Sequence, residues 1–476
     1  YLFEFLNAYD FSSEGSEEIQ EENKSLINAS VLGLIFEKIN GYKDGSFFTP
    51  GFITMYMCRE TIRKAVVQKF NETKGWNCKD LDALYDKIED RNEANTIVNS
   101  LKICDPSVGS GHFLVSALNE MIAVKNDLRI LQDRHGKRLK EYQVEVVNDE
   151  LIVTDEDGQL FEYHPNSRES QRVQETLFHE KQTIIENCLF GVDINSNSVK
   201  ICRLRLWIEL LKNAYYKNAT ELETLPNIDI NIKCGNSLVS RFDIDADLRK
   251  ALRKSKYSID SYRMTVATYR NAESKEEKRE MERVIRLIKE DFRTDIEKPF
   301  IEKIAKARGK AENLTNKIIN LQQFGEKPDK KLISDHKKAA ENLAKLEKER
   351  DERESNKIYE NAFEWRFEFP EVLNDEGDFI GFDVVIGNPP YFSMSKLKEQ
   401  ANYFSSADYE TYSKGADIYC LFYELGGRIL KVDGFLTYIT SNSWLRAIYG
   451  ELLKAHFVKR LQPITLLNIE DVQIFE

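Results

Sequence analysis

Apolar residues recur every three or four positions through 26–39 and again through 54–70, which predicts two amphipathic helices joined by the loop GYKDGSFFTPG (41–51). Residues 1–95 as a whole read as mostly helical. From Leu101 the texture changes. LKICD (101–105), CLFGVDI (188–194), IDINIKC (228–234), FDVVIG (382–387) and GFLTYIT (434–440) are short apolar runs closed by turn residues, the pattern of strands buried on both faces. Helical patterns follow Gly111 and Asn197, and a third spans 417–431. Alternation of this kind predicts an α/β fold with a parallel, doubly wound, Rossmann-like sheet.

Two stretches interrupt the alternation. Residues 125–185 contain YQVEVVNDELIVTDEDGQLFEYH, whose period-two pattern and DEDG turn predict a β-hairpin insertion. Residues 245–360 are helical and dense in both charges, and FGEKPDKK (324–331) is expected to turn them back as an antiparallel helical hairpin. The chain therefore divides into an N-terminal helical region, 1–100, and an α/β domain, 101–476, carrying both insertions. Near the end, PITLLNIEDVQIFE (463–476) reads as a strand and its loop.

The net charge of −12 over 476 residues argues against a nucleic-acid binder until it is resolved along the chain. Residues 251–360 hold 28 Lys/Arg against 22 Asp/Glu, leaving −18 on the other 366. Such a basic excess suits phosphate contacts or a solvated helix face. Seven cysteines without a C-x-x-C pair fit reduced cytoplasmic thiols, core filler such as Cys104 and Cys234, and not a zinc or disulfide framework. The six histidines do not cluster, so no metal is expected. His112 and Trp444 read as structural. No apolar run approaches the roughly 20 residues of a membrane span. The chain starts at Tyr1 with neither a signal nor a transit peptide, so excision from a longer polypeptide is expected.

Candidate chemistry collects at the strand ends. ICDPSVGSGHFL (103–114) leaves its strand at Asp105-Pro106 and turns through Gly109 and Gly111 into a helix, whose free N–H groups suit a nucleotide-like ligand. The spacing is not G-x-G-x-x-G. GVDIN (191–195) puts Asp193 at the second strand tip, where a carboxylate suits a ribose diol, with Ile194 beside it. KCGNSL (233–238) brings Asn236 and Ser237 to the same rim. The fourth strand ends in Asn388-Pro389-Pro390-Tyr391; prolines neither continue a strand nor donate hydrogen bonds, so a stiff bend opens there.

FFTP (47–50), DPSVGSGHFL, GVDIN, CGNSL and NPPY, in this order, resemble the motif series of the amino-group DNA methyltransferases. LGLIFEKI (32–39), WRFEFPEVL (365–373) and GRILKVDGFLTYITSNSWLRAIYGELL (427–453) narrow the resemblance to the N6-adenine-specific module of type IIG restriction–modification enzymes and their phage-defence relatives. It covers nearly the whole chain, although NPPY alone is shared with other methyltransferases. The resemblance implies S-adenosylmethionine as cofactor and double-stranded DNA as partner. Asp105, Pro106, Gly109 and Gly111 would line the methionine moiety, with Thr49 and Pro50 closing over it. Asp193 would hold the ribose, Ile194 would pack on the adenine, and Asn236 with Ser237 would reach its edge. Related enzymes usually carry Asp where Asn236 stands, and Ala-Cys where Ser107-Val108 stand. Asn388 and the Pro389 carbonyl would accept the two N–H bonds of a target adenine, Pro390 would stiffen the bend, and Tyr391 would stack on the flipped base.

Two other readings remain. One is an NPPY methyltransferase of ribosomal RNA or of a protein glutamine; the other is a non-catalytic DNA-binding or assembly subunit. No complete nuclease constellation is present. The resemblance further implies a target-recognition domain beyond Glu476 and leaves room for a nuclease before Tyr1. The present piece is expected to bind cofactor but to methylate DNA poorly.

Overall fold

Burial on both faces commits the apolar runs to one sheet. The computed structural model describes residues 49–218, 221–242, 244, 255–355, 357–397, 400–407 and 409–469, with the short pieces 9–10 and 25–26. Its strands are β1 (Ile103–Asp105), β2 (Tyr142–Val147), β3 (Glu150–Asp155), β4 (Leu189–Asp193), β5 (Ile232–Cys234), β6 (Phe382–Gly387) and β7 (Leu430–Tyr438). Five of them form a sheet in the order β5-β4-β1-β6-β7, with every neighbouring pair parallel. This is the Rossmann-like arrangement of an α/β methyltransferase fold. The chain builds outward from β1 on one side and later on the other, so the order reverses between β1 and β6. In open α/β sheets ligands bind outside the carboxyl ends at such a switch point.

Helices α1 (Gly51–Lys74), α2 (His112–Asp127), α3 (Arg168–Asn187) and α4 (Ser196–Leu211) surround the sheet. Residues 112–125 of α2 are all buried, so this helix is apolar around most of its circumference. Asn195 caps α4 by accepting the N–H of Asn197 at 2.9 Å. Helix α1 joins the sheet through Thr61 and Thr437, whose hydroxyl oxygens lie 2.8 Å apart, and through Lys69, which reaches Asp383 at 2.9 Å.

Val239–Phe379 forms a second compact unit. Its main elements are α5 (Lys275–Gln323) and α6 (Lys330–Ser355). Arg308 pairs with Glu347 at 2.6 Å and Thr315 with His336 at 3.0 Å, which fixes an antiparallel register. Ile304 and Ala311 on one helix, Ala339 and Leu346 on the other, are buried at seven-residue spacing, as in a coiled-coil seam.

Several local expectations need correction. The expected helix over 26–39 lies, apart from Leu26, outside the described residues; Leu26 itself belongs to the two-residue pairing of Tyr9–Asp10 with Ser25–Leu26. In the third apolar run, Ile228–Ile230 form a short 3-10 turn and only Ile232–Cys234 is strand. The hairpin turns at Asn148-Asp149 and not at DEDG, because both residues adopt positive φ, 51° and 65°, which Asn and Asp tolerate in a two-residue turn. DEDG makes a second bend that bridges Thr154 to Leu160. Strand β7 begins at Leu430, earlier than 434, and ends at Tyr438. Cys234 is exposed at the tip of β5, not core filler. Residues 463–469 form no strand, since no neighbouring edge pairs with them among the described residues; 470–476 lie outside those residues.

Candidate functional site

The carboxyl ends of β1, β4, β5 and β6 lie along one rim because these strands are parallel neighbours in the sheet. Asp105, at the end of β1, is 1% exposed and accepts the N–H of Ser107 at 2.9 Å. Its carboxylate lies against the end of β6: a Cβ added at Gly387 would fall 2.5 Å from Asp105 Oδ1. Only glycine lets the first strand tip approach the corner that begins at Asn388.

The glycine turn is equally constrained. Gly109 and Gly111 have φ of 52° and 86°, the left-handed region that favours glycine. A side chain on Gly111 would also meet Cys202 Sγ at 2.5 Å. Burial pushes the Cys202 thiol up to about 12, so it stays an inert, protonated packing group. The N–H of Gly109 donates to Asp193 Oδ2 at 3.0 Å, and the N–H of Asn195 donates to Oδ1 at 2.7 Å. Asp193 thus ties the tip of β4 to the glycine turn. Ile194 beside it is 56% exposed, an apolar face on an otherwise polar rim.

From β5, Ser237 donates to the Pro106 carbonyl at 2.6 Å and so locks the third tip to the first. The Asn236 side-chain oxygen accepts the N–H of Leu238 at 3.1 Å, closing a local turn. Thr49 and Pro50 precede α1, and the Asn388 amide nitrogen donates to the Thr49 hydroxyl at 2.9 Å. That bond sets the amide's orientation, with nitrogen toward Thr49 and oxygen the other way. Two residues 339 positions apart, one from FFTP and one from NPPY, are therefore in direct contact. Pro389 is buried, while Asn388, Pro390 and Tyr391 are half-buried. Tyr391 donates to the Ile439 carbonyl at 2.9 Å and meets the Tyr419 ring edge-on with centroids 6.1 Å apart. Burial pushes its phenol well above the usual tyrosine range.

Sequence reading left one pair unrecognised. His112 Nε2 lies 3.0 Å from Asp149 Oδ2, and both side chains are buried. Asp149 is the second residue of the hairpin turn, and Asn119 also donates to its carbonyl at 2.8 Å. A Cβ on Gly51 would sit 3.2 Å from Asp149 Cβ, so the hairpin tip underlies the start of α1. The two-residue Asn-Asp signal in VVNDEL was the available clue. Trp444 is buried against Phe457 and remains a packing residue.

No group of His, Cys, Asp and Glu that could hold a metal exists among the described residues. No helix among them is long and apolar enough to cross a membrane. A cavity of about 670 Å³, lined in part by Gln132, Arg172 and His179, shares none of the strand-tip residues. Its Arg172 is already engaged by Asp133, Glu141 and Glu169.

Comparison with known proteins relates the chain to restriction-modification methylases. Residues 187–475 match the Eco57I restriction-modification methylase family, and residues 1–27 match a domain of unknown function. A protein of Methanocaldococcus jannaschii, named as a candidate type II restriction enzyme and methyltransferase, is 28% identical over 96% of this chain. The chain spans 37% of that relative's length. The type II restriction enzyme and methyltransferase RM.Eco57I of Escherichia coli is 30% identical over 20% of this chain and 10% of its own. The type II methyltransferase M.XhoI of Xanthomonas vasicola is 30% identical over 20% of this chain and 17% of its own.

Proposed function

The chain belongs to the Eco57I restriction-modification methylase family, and from that premise we propose that it methylates the N6 amino group of an adenine turned out of duplex DNA. The observation that supports the reading is the Thr49–Asn388 contact, because it orients the Asn388 amide at the carboxyl end of β6, the side on which open α/β sheets bind ligands.

The strand-tip residues fit S-adenosylmethionine in chemistry. Asp193 supplies a carboxylate for a ribose diol, exposed Ile194 an apolar face for a purine, and the turn at Gly109 a backbone that carries no side chain. Asp105 and Pro106 would line the methionine end, Thr49 and Pro50 would close over it, and Asn236 and Ser237 would bound the adenine edge. When bound, the cofactor supplies an electrophilic methyl on a sulfonium.

The chain's own residues deal with the nucleophile. An adenine amino nitrogen is weak because its lone pair is delocalised into the ring. The Asn388 side-chain oxygen and the Pro389 carbonyl would accept its two N–H bonds, which localises the lone pair toward the methyl. Gaining a methyl would leave that nitrogen cationic until its proton passes to solvent water. Acceptors fixed by Pro389 and Pro390 stabilise that charge without reorganising. Tyr391, held by Ile439 and Tyr419, would offer a ring to the extruded base, since a base inside the duplex is out of reach.

The test is incubation of the chain with duplex DNA and methyl-labelled cofactor, followed by digestion and nucleoside mass spectrometry. Label in N6-methyldeoxyadenosine is expected. Label confined to RNA or to protein glutamine would replace this reading with the corresponding methyltransferase.

A further inference from the structure

The second unit carries a surface that the methyl-transfer site does not use. Along the outer side of α5, Lys306, Lys310, Asn313, Lys317, Asn320 and Phe324 follow one another at spacings of four, three, four, three and four. On a 3.6-residue helix that spacing keeps them in one stripe. The buried seam toward α6 runs through Ile304 and Ala311, which lie on another side of the helix. All six stripe residues are exposed, Phe324 at the tip by 83%.

The stripe contains no carboxylate. Lys306, Lys310 and Lys317 make no ion pair or hydrogen bond with any described residue, whereas nearby Arg308 is committed to Glu347. Residues 306–345 hold ten Lys/Arg against five Asp/Glu in a chain whose net charge is −12. Random scatter of charge along a solvated helix would place acids among these lysines, as it does on the first half of α5, where Arg283 pairs with Glu280 and Arg293 with Glu297.

We propose that this lysine–asparagine stripe is a docking surface for the phosphate backbone of duplex DNA. Its span of about 27 Å at 1.5 Å per residue is most of one duplex turn of roughly 34 Å. Lysines neutralise phosphates, the two asparagines donate to phosphate oxygens, and the terminal phenylalanine gives the apolar contact that sugar and base edges accept. Such contacts carry affinity without sequence choice. They also resolve the charge problem, because a chain acidic overall needs a segregated basic face to approach DNA.

The proposal rests on duplex DNA being the substrate. It is tested with the 476-residue chain and a fluorescein-labelled 30-base-pair duplex, by anisotropy across about 50–200 mM salt, the range over which phosphate contacts are read. The Lys306→Gln/Lys310→Gln/Lys317→Gln variant is expected to bind about tenfold more weakly or worse, with a salt slope shallower by about 2 to 3, at ~0.9 per lost contact. The triple arginine variant should keep wild-type affinity and slope. Calorimetric binding of S-adenosylmethionine should be the same in all three. A glutamine variant with wild-type affinity and slope would make the stripe a solvated face and overturn the proposal, while N6 labelling of duplex adenine by the wild type would still stand. A wild-type chain that binds no duplex and labels RNA or protein instead would remove both.

Discussion

The sheet-bearing unit and the helical hairpin spend their charges in opposite ways. Inside the first, ionic groups are consumed by internal order. Lys181 donates to the Glu209 carbonyl at 3.0 Å and approaches its carboxylate at 3.3 Å, Lys212 holds the same carboxylate at 2.9 Å, and Arg205 reaches Ser110 beside the glycine turn. Asp105, Asp149 and Asp193 each anchor a backbone or side-chain donor at a strand tip or helix start. On the distal half of α5, Lys306, Lys310 and Lys317 stand in solvent without partners among the described residues. One region is pre-organised and its charges cannot be removed cheaply; the other keeps its charge available.

That contrast can be broken first at Glu209. Burial pushes its carboxyl up, but Lys181 and Lys212 beside it more than offset this and hold it at about 2. Since the folded value lies below the unfolded one, its stabilisation is complete above about pH 4.3 and fades as pH falls through about 2. Glu209→Gln leaves Lys181 buried beside a neutral amide and should cost about 3–5 kcal/mol at neutral pH, measured by urea unfolding. The gap from wild type should narrow below pH 4. A loss within experimental error would mean that the interior charges are not committed as described.

A smaller effect is expected at the glycine turn. Gly111→Ala adds a Cβ 2.5 Å from Cys202 Sγ at a φ of 86°. The left-handed backbone costs roughly 1–2 kcal/mol and the overlap about as much again. Adding Cys202→Ala, compared with Cys202→Ala alone, should recover the part of the overlap due to Sγ and leave the backbone cost with the closer of the remaining contacts, Cβ at 3.1 Å, by the same unfolding assay. The smallest effect sharpens the other side of the comparison: replacing Lys306, Lys310 and Lys317 by glutamine should leave stability within about 0.5 kcal/mol per site, since exposed side chains without partners contribute little.

The parallel sheet was legible because strands buried on both faces leave uninterrupted apolar runs, as FDVVIG does in becoming β6 without loss of a residue. Boundaries were less legible where a turn competes with a strand. IDINIKC reads as one apolar run, yet Ile228–Ile230 coil into a 3-10 turn before β5. The strand tips were visible as glycines, prolines and acids. The bonds that join them were not, because hydrogen bonding between Ser237 and Pro106, or Thr49 and Asn388, depends on the closed sheet and leaves no mark at short range. Asp149 was hidden for a related reason. An Asn-Asp dipeptide signals a turn, but not that the turn carries its carboxylate inward to a buried histidine. The lysine stripe was blurred by composition, since charge counted over 251–360 mixes the paired first half of α5 with the three stripe lysines.

The central claim, that the proline-braced corner acts on an amine and the glycine turn on the cofactor, is tested most directly by Asn388→Ala. Cofactor affinity by calorimetry and the single-turnover rate of methyl transfer to duplex DNA are measured on the same preparation. The account predicts wild-type cofactor affinity with transfer reduced by about 10²-fold or more. Transfer at the wild-type rate with intact cofactor binding would contradict it.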